Sequence, residues 1–206
     1  ISGTGQSVGG LVGQLVGHSG VEKSSSSASV TTSSYVAGGL LGYIRDSAVR
    51  DCFARGRVEA LCHVGGLIGQ IYANINEDAE VNRCYSTGEI VYFFELGTEP
   101  SGGLIGKNSG PESVNNSFWD TETSGMNTSE GGTGTTTSAM KNAGTYTDWD
   151  FAGNTGDGTD EIWHIDSEGV INDGYPIFWE FGITSFSPAN GAVSVSVSPA
   201  LSIDFD

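Results

Sequence analysis

The apolar residues of this chain occur in short groups that are bounded by glycines and that return at regular intervals. A Gly-Gly-Leu-Xaa-Gly phrase, in which Xaa is Val, Leu or Ile, begins at Gly9, Gly38, Gly65 and Gly102. Successive phrases therefore begin 29, 27 and 37 residues apart. Periods of about 20 to 50 residues are typical of solenoids, in which each repeat buries its apolar face against its neighbours.

A second shared segment follows each phrase and alternates between two kinds of side chain. In the second repeat one set of positions carries small or apolar residues, and the set between them carries aromatic or charged ones: Cys52, Ala54, Gly56 and Val58 against Phe53, Arg55 and Arg57. A period of two predicts a β-strand whose small face lets two walls of a coil approach closely.

Alignment of these second segments places opposite charges next to one another in successive repeats. The aligned positions are Glu22, Arg50 and Asn82, then Lys23, Asp51 and Arg83, and finally Arg57 with Glu89. Strands stacked in register lie about 4.8 Å apart, and an opposite-charge pair at that spacing stabilises a sheet by roughly 0.2–1 kcal/mol. The charges therefore favour in-register parallel stacking of the repeats.

The predicted fold is all-β, a short parallel β-solenoid (β-helix) of about four rungs. We expect one buried leucine column, with glycines at the tight, positive-φ corners between strands. The column would contain Leu11, Leu40, Leu67 and Leu104. A β-propeller is the alternative, although its four-stranded blades usually need about 40 residues.

The two repeated segments together resemble the GLUG repeat, in which a Gly-Gly-Leu-(Val/Ile)-Gly phrase precedes a Cys-Tyr-(Ala/Ser)-Thr-Gly-like one. Residues 65–69 and 84–88 show both parts. The resemblance covers roughly residues 8–125 and implies a bacterial or archaeal surface or adhesin-like protein. It implies no reaction, because such repeats lie outside the catalytic parts of the proteins that carry them.

Three regions follow from these patterns. Residues 1–125 form the repeats, with Trp119 ending the stack, and residues 126–182 form a Gly/Thr-rich linker and an aromatic capping segment. Within the linker, residues 138–144 predict one short helix that ends at Gly144. Residues 183–206 alternate as two strands and resemble the start of a bacterial Ig-like domain. Those strands either belong to a further domain or complete a sheet on a neighbouring molecule.

Two groups of side chains are candidate binding sites. Phe53, Tyr85 and Phe118 align in one column, which is either a sugar-stacking strip or a surface that the capping segment covers. Clustered carboxylates among glycines are candidate calcium ligands, because Ca²⁺ prefers six to eight oxygens. These are Asp157, Asp160 and Glu161, for which a solvated loop is the alternative.

Cys52 and Cys84 share one repeat position. Parallel Cβ atoms about 4.8 Å apart are farther apart than the ~3.8 Å that a disulfide prefers. Buried free thiols are therefore favoured over a bridge.

The chain has 25 acidic and 8 basic residues, for a net charge of −17. This charge argues against nucleic acid and against an anionic membrane surface as partners. No apolar run reaches the ~20 residues that span a bilayer. The sequence begins inside a repeat-like phrase, so we expect a signal peptide to be removed or upstream, and an extracellular or cell-surface location.

The sequence thus favours a non-enzymatic structural or adhesive module of a larger adhesin, stalk or filament, with other copies or neighbouring domains as partners. One alternative is a filament subunit that uses its C-terminal strands as donor. Another is a carbohydrate-binding or polysaccharide-degrading β-helix, which as an enzyme needs paired carboxylates in a groove. No catalytic residues and no firm cofactor are identified beyond possible Ca²⁺.

Overall fold

The structure, a computed structural model, is a parallel β-solenoid, as the repeats predict. It describes residues 1–3, 5–72, 79–93, 101–110, 113–154 and 156–179. The chain makes three complete rungs of five strands and part of a fourth. The predicted Ig-like strands of residues 183–206 lie outside the described residues, so the donor-strand hypothesis stays a prediction.

Each rung repeats the same five short strands. One strand precedes the first complete rung, β1 (Ser2–Gly3). The first rung contains β2 (Ser7–Gly9), β3 (Val12–Val16), β4 (Gly20–Glu22), β5 (Ser25–Ser26) and β6 (Val30–Thr32). The second contains β7 (Val36–Gly38), β8 (Leu41–Arg45), β9 (Ala48–Arg50), β10 (Phe53–Ala54) and β11 (Val58–Ala60). The third contains β12 (Val64–Gly65), β13 (Ile68–Tyr72), β14 (Glu80–Asn82), β15 (Tyr85–Ser86) and β16 (Ile90–Tyr92).

The C-terminal part begins as a fourth rung and continues as short helices, 3₁₀ turns and short strands. The partial rung contains β17 (Ile105–Asn108), β18 (Ser113–Asn115) and β19 (Phe118–Asp120). After it come helix α1 (Thr121–Ser124), β20 (Thr133–Thr135), helix α2 (Thr137–Met140) and a 3₁₀ turn at Ala143–Thr145. The last elements are β21 (Trp163–His164), a 3₁₀ turn at Asn172–Gly174 and β22 (Ile177–Phe178). The predicted helix over residues 138–144 is thus shorter and starts at Thr137.

Equivalent strands of successive rungs pair in parallel and form five walls. In chain order the walls are β2-β7-β12, β3-β8-β13-β17, β4-β9-β14-β18, β5-β10-β15-β19-β20 and β1-β6-β11-β16. The register keeps like residues together: Leu41 pairs with Val12 on one side and Ile68 on the other. The last two described strands, β21 and β22, pair antiparallel outside the solenoid.

The predicted leucine column is correct for three of its four members. Leu40, Leu67 and Leu104 are fully buried in the interior of the solenoid. Leu11 is 51% exposed, so its predicted burial is wrong. It belongs to the first rung, and within the described residues only the rung on one side contacts it.

The motif glycines do not make the corners, contrary to the prediction. None of them has a positive φ. They allow close approach instead: a Cβ on Gly39 would lie 2.2 Å from the carbonyl oxygen of Gly66, and one on Gly66 would lie 2.1 Å from that of Gly103. Those distances leave no room for any side chain.

A column of non-glycine residues makes one of the corners. Lys23, Asp51, Arg83 and Asn116 have φ values of 44°, 51°, 51° and 45° and follow the strands of the third wall. The left-handed conformation is uncommon for such residues, although Asp and Asn adopt it several-fold more often than most. The corner at Asp51 separates β9 from β10, and the predicted strand over residues 52–58 is interrupted at residues 55–57, between β10 and β11.

Three of the predicted charge pairs form: Glu22 with Arg50, Asp51 with Arg83, and Arg57 with Glu89. Arg50 Nη1 donates to Glu22 Oε1 at 3.2 Å and pairs with Glu80 on the other side. Arg83 donates to both carboxylate oxygens of Asp51, each at 2.7 Å. The hydrogen bond from Arg50 lowers the pKa of Glu80. Arg57 Nε donates to Glu89 at 3.0 Å.

Cys52 and Cys84 are buried free thiols, as favoured from the sequence. Their Sγ atoms lie 3.1 Å from the Arg50 carbonyl oxygen and 3.2 Å from that of Asn82. Burial raises the pKa of the Cys84 thiol. These cysteines therefore serve as small interior residues.

Trp119 closes the interior at the C-terminal end but does not end the stack. It follows Ala54 and Ser86 in the same column and pairs with Gly134 of β20, so one further strand is added beyond it. Its Nε1 donates to the Met126 carbonyl oxygen at 3.0 Å. A glycine opposite the ring leaves room for this one strand, and among the described residues no further complete rung follows Trp119.

Leu67 and Leu11 occupy equivalent motif positions with opposite burial, and this gives a matched test of the stacking. We expect Leu67→Ala to lower the free energy of unfolding by about 2–5 kcal/mol, because it leaves a cavity in the core. Leu11→Ala should cost no more than about 0.5–1 kcal/mol, since half of its side chain is already in solvent. Urea denaturation followed by tryptophan fluorescence measures both; equal costs would contradict in-register stacking.

The ladders predict unequal costs for two charge removals. Asp51→Asn keeps a residue that tolerates the left-handed corner but leaves Arg83 without its charged partner. We expect it to cost about 2–4 kcal/mol, because the Asp51 side chain is only 7% exposed. Glu22→Gln, at a side chain 59% exposed, should cost less than about 1 kcal/mol. Denaturation at low and high salt measures both, and a cost for Asp51→Asn as small as the control's would count against the ladder.

Candidate functional site

The predicted aromatic column forms on the fourth wall. Register pairing places Phe53 beside Tyr85, and Tyr85 beside Phe118. The rings of Phe53 and Tyr85 stack in parallel, with centroids 4.9 Å apart and planes 6° from each other. Their strand neighbours Ala54 and Ser86 point the other way, into the interior, so the rings face outward from the solenoid.

The C-terminal segment covers this column, so the geometry adds no support for a sugar-stacking role of Phe53, Tyr85 and Phe118. Phe53 is 7% exposed, Tyr85 is fully buried, and Phe118 is partly buried. We call residues 136–179 the cap, whose apolar residues form one cluster with the column: Met140, Tyr146, Trp149, Phe151, Ile162, Ile165, Trp163, Tyr175 and Phe178. The ring faces are thus occupied by protein, which was the alternative to a glycan strip.

Buried hydrogen bonds fix the cap on the wall. Tyr85 Oη donates to the Pro176 carbonyl oxygen at 2.6 Å and accepts from Asn172 Nδ2 at 2.9 Å. Tyr175 Oη donates to Asp120 Oδ2 at 2.6 Å. Trp149 Nε1 donates to the Asn116 carbonyl oxygen at 2.7 Å. Each bond satisfies a polar group that burial would otherwise penalise.

Arg55 holds the cap from the same wall. Its guanidinium donates to Asn172 Oδ1 and Asp173 Oδ2, and lies 5.0 Å from the ring centroid of Tyr175. The hydrogen bond from Arg55 lowers the pKa of Asp173. Sequence reasoning assigned no such contact to Arg55, because its partners lie 117 and 118 residues away.

The predicted calcium ligands are not gathered around one point. Asp157 Oδ2 accepts from Asn154 Nδ2 at 2.7 Å, and Glu161 Oε2 accepts from the Gly153 amide at 2.6 Å. Asp160 donates its amide to Asp150 Oδ2 at 2.7 Å. Over the residues that the structure describes, no three His, Cys, Asp or Glu side chains are grouped to hold a metal ion. The carboxylates of Asp157 and Glu161 thus accept hydrogen bonds from their own loop, and the geometry adds no support for Ca²⁺.

The cap carries an open groove of about 860 Å³. Polar side chains line it, among them Asn142, Asp148, Asn154, Asp157 and His164. The aromatic residues at the groove are almost fully buried, so a ligand would meet amides and carboxylates rather than ring faces. Of this set, the sequence analysis singled out Asp157, as a candidate calcium ligand, and did not assign it to a groove.

Comparison with known proteins gives one partial similarity. No protein-family model matches the chain, and no solved structure matches it. A stretch of 127 residues is 37% identical to a protein of Evansella cellulosilytica named "Putative Gly-rich membrane protein". The match covers 59% of this chain and 13% of that protein, so the chain spans a small part of its relative.

The GLUG resemblance therefore stays a prediction. Among the residues that the structure describes, no helix is long and apolar enough to cross a membrane.

The buried tyrosines predict loss of stability at high pH. Burial and the nearby Asp120 raise the pKa of Tyr175 to about 12, and burial raises the pKa of Tyr85 and Tyr146 further. A raised pKa in the folded state stabilises the protein fully below the ordinary value near 10, and this contribution is lost as pH rises toward the folded-state value.

We therefore expect the free energy of unfolding to fall between about pH 10 and pH 12, by up to ~1.4 kcal/mol per pH unit for each such tyrosine. In Tyr175→Phe the slope should be shallower by one group's contribution. Urea titrations at a series of pH values measure it, and Tyr35→Phe, at a side chain 66% exposed, is the matched control. An unchanged slope in Tyr175→Phe would argue that this hydroxyl is not buried.

Proposed function

We propose that this chain is a non-enzymatic structural module of a larger cell-surface protein. The observation that carries the proposal is that the arginines and the aromatic column of the repeats contact other residues of the same chain. Its five arginines all form ion pairs with carboxylates of the same chain: Arg45 with Asp46, Arg50 with Glu22 and Glu80, Arg55 with Asp173, Arg57 with Glu59 and Glu89, and Arg83 with Asp51.

The aromatic column supports the same conclusion. A polysaccharide-degrading β-helix needs an open groove with paired carboxylates on its solenoid wall. Here Phe53 and Tyr85 of the fourth wall lie beneath the cap, and Asp51 at that wall's edge is engaged by Arg83 and Trp163. What these residues do is hold rungs and cap together.

The relative supports a surface location. Its printed name describes a Gly-rich membrane protein, and it is much longer than the part that matches. A rigid, acidic solenoid within such a protein would act as a stalk or spacer, and an adhesive role would come from surfaces other than the covered column. The net charge of −17 favours solubility and disfavours anionic partners.

One experiment separates the structural proposal from its alternatives. The intact chain is incubated with neutral and acidic polysaccharides, and reducing ends and unsaturated products are measured; the same chain is applied to a glycan array. We expect neither product nor saturable binding. Product formation that scales with protein and is lost on substituting a single carboxylate would overturn the proposal in favour of an enzyme.

Carbohydrate binding in the cap groove is the second candidate function. The observation in its favour is the groove itself, whose volume of about 860 Å³ falls within the range of small-ligand sites and whose lining offers amide and carboxylate groups. Array binding without product would support it. Asn154→Ala should then abolish binding, whereas Gln70→Ala, an amide on the second wall, should leave it unchanged.

A further inference from the structure

The two ends of the solenoid differ. At the C-terminal end, Trp119 fills the interior, and residues 128–130 cross over the last rung: Gly103 donates to the Thr128 carbonyl oxygen at 3.1 Å, and Ser129 Oγ accepts from the Ile105 amide at 2.9 Å. At the N-terminal end, β2, β3, β4 and β5 are edge strands of their walls over the described residues. An open edge exposes unpaired backbone groups and is a template for a further strand.

Interior positions reach solvent at this N-terminal end. Leu11 is 51% exposed, whereas its equivalents in the other rungs are fully buried. Val12, Leu15 and Val21 are partly buried, although the residues paired with them one rung later, Leu41, Ile44 and Val49, are fully buried. The apolar side chains that are interior in the other rungs therefore form an exposed apolar surface at this end of the solenoid.

One strand of the next rung is already in place there. β1 extends the fifth wall beyond the first complete rung, with Ser2 paired to Thr31 and Gly3 to Thr32. The Ile1 nitrogen donates to the Ser29 carbonyl oxygen at 2.6 Å, and the Thr31 amide donates to the Ile1 carbonyl oxygen at 3.0 Å. This wall thus shows the parallel register in which a whole rung would continue.

The charges at the N-terminal end indicate which charged residues a rung stacked on it would carry. Residues 1–36 contain one acidic and one basic side chain, Glu22 and Lys23, against a net charge of −17 for the chain, so an approaching rung meets little repulsion. In the two charged columns nearest this end, neighbouring rungs carry opposite signs: Glu22 then Arg50, and Lys23 then Asp51, of which Glu22 and Arg50 form an ion pair. Continued alternation places a basic residue over Glu22 and an acidic one over Lys23.

We propose that the N-terminal end is a stacking surface for one further parallel rung of the same repeat, supplied by the longer surface protein. The partner is a Gly-Gly-Leu-Xaa-Gly segment followed by a basic-acidic pair, as in Arg50-Asp51 of the second rung. This inference rests on the proposed function, because it takes the chain to be one module of a longer repeat protein.

The test extends the full chain with a copy of its own second rung. Ile1 aligns with Val30 and Val58, because Ser2 pairs with Thr31 and Thr31 with Glu59. A copy of residues 36–57 placed directly before Ile1 therefore leads into β1 as Arg57 leads into Val58. The copy brings Arg over Glu22 and Asp over Lys23. A control extension carries Arg50→Glu and Asp51→Lys in the copied segment only.

Leu11 reports whether the extension docks. In the original chain, Leu11→Ala should barely move the urea midpoint. In the extended chain it should lower the midpoint as much as Leu67→Ala does, because Leu11 becomes a core residue. Hydrogen exchange of the outward-facing amides of β3 and β4 should slow at least about tenfold. The charge-swapped extension should show smaller changes on both measures.

Several outcomes would overturn the inference. One is an extension that leaves both the Leu11→Ala effect and the exchange rates unchanged. Another is a dimer of the unextended chain that Leu11→Lys dissociates, since the face would then belong to a second copy. If the charge-swapped control docked equally well, the expectation of a basic residue over Glu22 and an acidic one over Lys23 would be refuted. Polysaccharide turnover would refute the proposed function without altering these stability measurements, so the two failures are distinguishable.

Discussion

The close approach of backbone at the paired glycines is the constraint on which the rest of the solenoid depends. A Cβ at Gly39 would meet the Gly66 carbonyl oxygen on the next rung and, at 2.9 Å, the Cβ of Ala54 across the interior. The interior is therefore thin at this point, which explains why the facing column carries Ser26, Ala54 and Ser86. Thicker parts of the core hold Leu40 and Leu67 beside these glycines. The column ends where a large residue enters: Trp119 packs against Gly103 and closes the interior.

Repetition made the register predictable. Because Glu22, Arg50 and Asn82 recur at one place in the repeat, and opposite charges favour adjacency, the sequence alone indicated parallel, in-register stacking. The corners were not predictable, because a glycine signal has two physical causes: positive φ and lack of room for a Cβ. Here the second cause applies to the motif glycines, and Lys23, Asp51 and Arg83 adopt the left-handed conformation instead. Residue type alone does not indicate that a lysine or arginine will be held there by neighbouring rungs.

The role of the aromatic column could also be predicted only in part from the sequence. The column of Phe53, Tyr85 and Phe118 was evident from alignment, but an outward aromatic column looks the same in sequence whether a ligand or another part of the chain covers it. The contacts that decide between these two cases join residues far apart in the sequence. Tyr85 donates a hydrogen bond to the carbonyl oxygen of Pro176, which lies 91 residues later, and Arg55 donates one to Asn172. The available signal was compositional, since three of the four tryptophans lie after the repeats and a cluster of that size needs an apolar surface to pack on.

The cap changes how the rungs share stability. A solenoid is held together by contacts between neighbouring rungs, so each end can fray independently of the rest. The cap contacts Phe53, Tyr85 and Phe118, which belong to the second, third and fourth rungs, and so ties three rungs into one unit. The first rung has Ser25 at the equivalent position of this wall and gains no such aromatic contact. The first rung has a complete neighbour on one side only, the second rung, and on the other side β1 of the fifth wall is its one paired strand among the described residues. This end is therefore where local unfolding should begin unless another rung is stacked on it.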